Sequence, residues 1–114
     1  MLTIEALRAY GADVDDGMKR CLNNEAFYLR MVDKVKVNLD SCGELKEAVE
    51  AKDLDKAFSI AHALKGVLAN LSLTPMLTPV SEITELLRSK TDMDYSALIS
   101  EILARKDELK ELIG

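Results

Sequence analysis

The residue in this chain best suited to chemistry is His62, which stands in the segment Ala61-His62-Ala63-Leu64-Lys65-Gly66 and is the only histidine among 114 residues. Imidazole as a side-chain type titrates near pH ~6.5, so around neutrality it offers an uncharged nitrogen with a free lone pair. Such a nitrogen needs no accessory base to act as a nucleophile. It can take a phosphoryl group from an acyl phosphate, hold it as a phosphoramidate and return it, a transfer that depends chiefly on positioning and charge stabilisation. Lys65, three residues on, brings an ammonium within reach of whatever the ring carries. A cation there would steady a phosphoryl dianion through charge-assisted hydrogen bonds. A lone surface histidine or lysine is ordinary, so the surroundings must decide.

The element that positions them is a helix expected over about Asp53 to Leu71. Leu54, Ala57, Ile60, Ala61, Leu64, Val67, Leu68 and Leu71 recur at helical spacing and define one inward face. His62 falls nearly opposite the centre of that face and is expected to project into water. Phe58, Lys65 and Gly66 lie one turn from it, and Ala69 two turns. A mid-helix glycine costs about 1 kcal/mol relative to alanine. Close helix packing, the usual structural reason for one, does not fit Gly66, which points away from the core face. Its missing side chain would leave room beside the imidazole for a phosphoryl group and an approaching partner. Ser59, Ala63 and Ala69 keep the surround low. Phe58, a large apolar residue near an exposed strip, suggests docking, although bundle ends also bury such residues.

The rest of the chain reads as further amphipathic helices. A short one covers about Thr3 to Tyr10, with Thr3 as N-cap and Gly11 placed to stop it. A second runs from about Val14 to Leu22. A third runs from Asn24 to Leu39, with Phe27, Tyr28, Met31, Val32, Val35 and Leu39 inward. Ser41-Cys42-Gly43 is expected to break the chain before a shorter helix that turns Leu45, Ala48 and Val49 inward. Thr74-Pro75 resembles an N-cap followed by proline in the first turn. Pro79 removes a backbone donor one turn later, so a bend, or a true start at Thr78, is expected there. That helix continues to about Lys90 on Met76, Val80, Ile83 and Leu87. The last spans Asp94 to Leu112, with Tyr95, Leu98, Ile99, Ile102, Leu103 and Leu109 inward. Long helices joined by short turns argue for an all-α antiparallel four-helix bundle with additional short N-terminal helices, in one domain over residues 1–114.

Composition narrows the function classes. The net charge is −5, and no basic stripe marks a nucleic-acid binder. No apolar run approaches the roughly 20 residues that span a bilayer, and the N-terminus lacks a signal-peptide pattern. Cys21 and Cys42 show no CxxC spacing and read as reduced thiols of a cytoplasmic protein. There is no Walker A pattern or glycine-rich nucleotide loop, so ATP is not expected as a direct phosphate source. No acidic cluster stands out as a Mg²⁺ site; any metal would come with the partner, and no cofactor is expected. Met1 and the compact length favour a free-standing protein.

Ala61-His62-Ala63-Leu64-Lys65-Gly66, followed by Asn70-Leu71 and Leu73-Thr74-Pro75, resembles the signature of histidine-containing phosphotransfer (HPt) domains. The resemblance covers helix order from about Leu7 to Leu109 and is motif-level from about Ala57 to Arg88. It implies a four-helix bundle with an extra N-terminal helix, working between sensor kinases and receiver domains of response regulators. It also implies that His62 is the phosphorylated residue, with Lys65 and Gly66 in support. Two departures stand out. Ser72 occupies a place where many relatives have Gly, and a local change is expected. Some relatives hold the imidazole with a Gln from the following helix, whereas this sequence contains no Gln. Thr84 and Arg88, placed on the outward side of that helix, are candidates to substitute.

The expected function is therefore that of a phosphocarrier without autonomous kinase activity. It would exchange a phosphoryl group between His62 and receiver-domain aspartates of response regulators or hybrid sensor histidine kinases, as a monomer. Phe58, Ser59, Ala69, Thr84 and Arg88 would frame the docking surface. The alternative is a helical interaction module that binds receiver or kinase domains and transfers nothing. An autonomous enzyme is disfavoured, because one histidine and scattered carboxylates form no catalytic constellation.

Overall fold

The structure, a computed structural model, describes residues 2–114; Met1, read above as favouring a free-standing chain, lies outside them. Among the described residues there are seven helices and no strand: α1 Ile4–Tyr10, α2 Val14–Arg20, α3 Glu25–Leu39, α4 Ser41–Glu50, α5 Leu54–Asn70, α6 Thr74–Arg88 and α7 Ser96–Ile113.

Local chemistry sets most of the boundaries. The Thr3 hydroxyl accepts from Ala6 N–H at 3.1 Å, and Gly11, at φ +108°, ends α1 as expected. There Ala12 N–H reaches back to Leu7 C=O and Gly11 N–H to Arg8 C=O, which satisfies carbonyls that the helix end would otherwise leave open. The Asn24 and Asp53 side chains cap α3 and α5. Helix α2 closes at Arg20, two residues earlier than the spacing suggested.

Three expectations need correction. The break after α3 is confined to Asp40, which keeps right-handed helical dihedrals, and α4 begins at Ser41 with Gly43 inside it. Helix α6 starts at Thr74, so Pro79 is inside the helix and Leu73 takes the cap position. A proline one turn into a helix forgoes one backbone bond, and its ring is buried here as compensation. Helix α7 starts at Ser96, whose N–H is held by the Asp94 carboxylate.

Helix α5 lies between α4 and α6, and α7 closes the bundle against α6, α3 and α4. The connections at 51–53 and 71–73 are too short for anything but reversal, so α4, α5 and α6 alternate in direction. The core is largely aliphatic: Leu39, Leu45, Leu68, Leu73, Met76, Ile83, Ile102 and Leu109 are fully buried, as is Tyr28. Each such side chain contributes on the order of 1.5–3 kcal/mol through burial. Phe27, expected inward, is exposed at 38%.

Helices α1 and α2 seal the α5–α6 turn. Asp13 N–H donates to Ser72 C=O at 3.0 Å, and the buried Tyr28 hydroxyl donates to Leu71 C=O at 2.9 Å. Ser72 sits at φ +54°, a left-handed conformation that costs a non-glycine residue roughly 1–2 kcal/mol. Its hydroxyl is tied to the Asp16 carboxylate, an interaction glycine could not make. No helix is long and apolar enough to cross a membrane among the described residues.

Candidate functional site

The buried face of α5 is Ala57, Ala61, Leu64 and Leu68, with Leu54, Ile60 and Val67 half-covered beside it. This fixes the helix rotation, and His62 emerges exposed on the other side. Gly66 is exposed too. A Cβ built on it would meet nothing within 4 Å, so the space next to the imidazole is open. Ser59 and Ala63 are exposed, and Ala69 is half-buried.

What the neighbouring helix adds is a chain of contacts. The Lys65 ammonium lies 3.5 Å from Oε2 of Glu85 on α6. The same carboxylate takes Arg88, whose Nε stands 3.3 Å from both of its oxygens. The Arg88 guanidinium lies over the Phe58 ring, 4.9 Å from its centroid. Phe58 in turn stacks on His62, with centroids 5.5 Å apart and planes inclined by 19°. The path runs from α5 to α6 and back to α5, and it ends on the imidazole.

Loss of some hydration pushes the Glu85 carboxyl up, but the combined pull of Arg88 and Lys65 outweighs it and holds this exposed group below its ordinary range. Glu85 is thus an anion at neutral pH. Two cations and one anion leave this cluster at one net positive charge, a favourable setting for an incoming dianion. Exposed pairs of this kind contribute little to folding, about 0–1 kcal/mol each, so their effect is on geometry and local potential. Among the described residues no group of three or more His, Cys, Asp or Glu could hold a metal ion.

The structure brings His62, Lys65, Gly66, Phe58 and Arg88 together. Thr84 is the exception: it is fully buried, and its hydroxyl donates to Val80 C=O at 2.6 Å. It follows Val80 by four residues, hence by about 40° around the axis, which puts it in the covered sector. Its hydroxyl is satisfied within its own helix, so burial leaves no polar group unpaired. Thr84 presents nothing to a partner and does not reach the ring. Glu85 was missed by sequence reasoning. Its spacing of three from Arg88 signals a local ion pair, but its link to Lys65 exists only across the helix–helix groove.

A family model described as Hpt domain matches residues 38–113, the stretch from the end of α3 through α7. No curated protein and no solved structure matches the chain.

Proposed function

This chain belongs to the Hpt domain family, whose members serve histidine phosphotransfer in two-component systems, and from that premise we propose that it is a phosphorelay carrier with His62 as the phosphorylated residue. The observation that carries the reading is the exposure of the only histidine on α5 beside the open surface at Gly66. In the proposed step a ring nitrogen attacks the phosphorus of a receiver's aspartyl phosphate. The N–P bond forms, the P–O bond to the aspartate breaks, and the carboxylate leaves with the electron pair. The reverse step returns the group. Positioning and electrostatics carry such a transfer. Lys65 supplies positive charge near the phosphoryl oxygens, and Gly66 admits the receiver.

Phe58, Ser59, Ala69 and Arg88 frame the surface on which a receiver domain of a response regulator or hybrid kinase would sit. The carrier works as a monomer in the cytoplasm and draws its phosphoryl group from partners rather than from ATP.

The test is incubation with radiolabelled phosphorylated receivers, comparing wild type with His62→Gln. Acid-labile label on the wild-type protein, absent from the variant, is the expected result. If no receiver or kinase labels the wild type, while receivers bind both proteins equally, the chain is an interaction module instead.

A further inference from the structure

Phe58 is the shared partner of two contacts: His62 stacks on its ring at 5.5 Å and 19°, and the Arg88 guanidinium stands 4.9 Å from its centroid. Both separations are within the range where rings attract one another and where a cation is drawn to an aromatic face. Phe58 is half-buried and packs against the core cluster, so its base is anchored while its ring reaches the surface. Arg88 is held in turn by Glu85. The platform under the imidazole is therefore braced from α6 as well as from α5.

An exposed histidine with nothing against it samples several rotamers. A nucleophile so spread attacks only from the fraction that points correctly. Stacking removes that freedom in a particular way, because it engages the face of the imidazole. Both nitrogens lie on the ring edge, so they stay open to solvent and to an incoming phosphorus. A hydrogen bond to one nitrogen would orient the ring by occupying an edge position; an aromatic platform orients it without doing so.

We propose that Phe58, backed by Arg88, is the positioning residue for His62, presenting the nitrogen edge of the ring to the phosphoryl donor. The proposal rests on the phosphocarrier reading of His62, but part of its test does not. Neither Phe58 nor Arg88 touches the reacting atoms; each acts through the orientation of the imidazole.

The experiment uses the full chain and its Phe58→Leu, Phe58→Tyr, Arg88→Ala and Arg88→Lys variants, with circular dichroism and urea midpoints to verify folding. Two readouts are taken. The first is the nuclear magnetic resonance of His62: ring-proton shifts and the three-bond couplings that report its χ1. The second is phosphorylation by phosphoramidate, a donor too small to need a docking surface. Here the imidazole nitrogen bonds to phosphorus, the donor's P–N bond breaks, ammonia leaves, and the proton on the other ring nitrogen stays in place.

In Phe58→Leu the His62 ring protons should move downfield as the ring current is lost, and the couplings should average. Uptake should slow by about three- to tenfold, the size of a stacked-pair interaction. Phe58→Tyr should restore both readouts. Arg88→Ala, at an exposed position, should give a partial effect of roughly two- to threefold, with Arg88→Lys between it and wild type. The proposal is overturned if folded Phe58→Leu keeps wild-type couplings and uptake, or if Phe58→Tyr behaves like Phe58→Leu. If Phe58→Leu does not fold, unchanged His62 couplings in Arg88→Ala overturn the bracing role and normal couplings in Phe58→Tyr support the platform. Failure of the wild type to take label from any donor sinks the phosphocarrier reading, whereas the couplings still decide whether Phe58 holds the ring.

Discussion

Lys65 on α5 and Glu85 on α6 form an ion pair across the groove beside His62, with Nζ 3.5 Å from Oε2. The cation that sequence assigns to the phosphoryl group is therefore already engaged, and a phosphoryl dianion on His62 would compete with Glu85 for it. Removing the Glu85 charge raises the cluster from +1 to +2 by the same count of two cations and one anion. Glu85→Gln should raise the phosphorylated fraction at equilibrium with a given donor by about two- to fivefold at low ionic strength. The gain should shrink as salt is added, because the charges are exposed. Phosphohistidine quantified across a salt series checks this, and a salt-independent effect would contradict it.

Gly66 separates stability from function. Nothing stands within 4 Å of a Cβ at this position, so Gly66→Ala should stabilise α5 by about 1 kcal/mol through helix propensity. Larger side chains there should obstruct the receiver. Gly66→Leu should slow exchange with a phosphorylated receiver by tenfold or more, an order-of-magnitude figure for a blocked interface centre, and should slow uptake from the small donor phosphoramidate to a lesser degree. Urea melts and paired transfer assays would check both halves.

Gly17 is a glycine of the opposite kind. A Cβ on it would lie 2.6 Å from the Tyr28 ring and 2.8 Å from Leu71 C=O, the carbonyl that the Tyr28 hydroxyl binds. Gly17→Ala must push α2 off the α5–α6 turn, and a loss of roughly 1–3 kcal/mol is expected. Tyr28→Phe should cost about 1 kcal/mol by leaving that carbonyl short of its donor. Because the two changes act on one contact, their double variant should lose less than the two single losses combined.

Lys52 follows α4 at φ +58°, with its N–H returning to Val49 C=O and the next N–H to Ala48 C=O. Glycine is the residue this closure favours. Lys52→Gly should stabilise the protein by about 1 kcal/mol, the cost of the left-handed conformation less the added chain entropy. The urea midpoint should rise with an unchanged slope.

Acid should weaken the junction of α2 with the α5–α6 turn. The Asp16 carboxyl is held below its ordinary value first by the Ser72 hydroxyl and then by Arg20. A group whose pKa is lowered on folding contributes its full stabilisation above its unfolded pKa, about 4, and loses it as pH falls through the folded value. Asp15, lowered by Arg8, has the same sign. Stability should therefore fall as pH drops below about 4–5, and Asp16→Asn should flatten that part of the profile. A variant with an unaltered acid limb would show that the Ser72 tie contributes nothing.

Sequence alone determined the helical class, most of the inner stripes and the outward direction of His62. Helix phase is a local property: about 100° per residue carries Ala57, Ala61, Leu64 and Leu68 to one side and His62 to the other, whatever the neighbours are. The Gly11 stop and the Asn24 and Asp53 caps are equally local, since donor and acceptor are within a few residues. Tertiary structure decided how wide each buried sector is. Helix α6 is covered by both α5 and α7, so the sector extends about 40° past Val80 and takes in Thr84, which sequence phase had placed on the outward side. The same packing chose the partners of the site. Glu85 is twenty residues from Lys65 in sequence, and Arg88 is thirty from Phe58; only the antiparallel pairing of α5 and α6 brings these charges and rings together around His62.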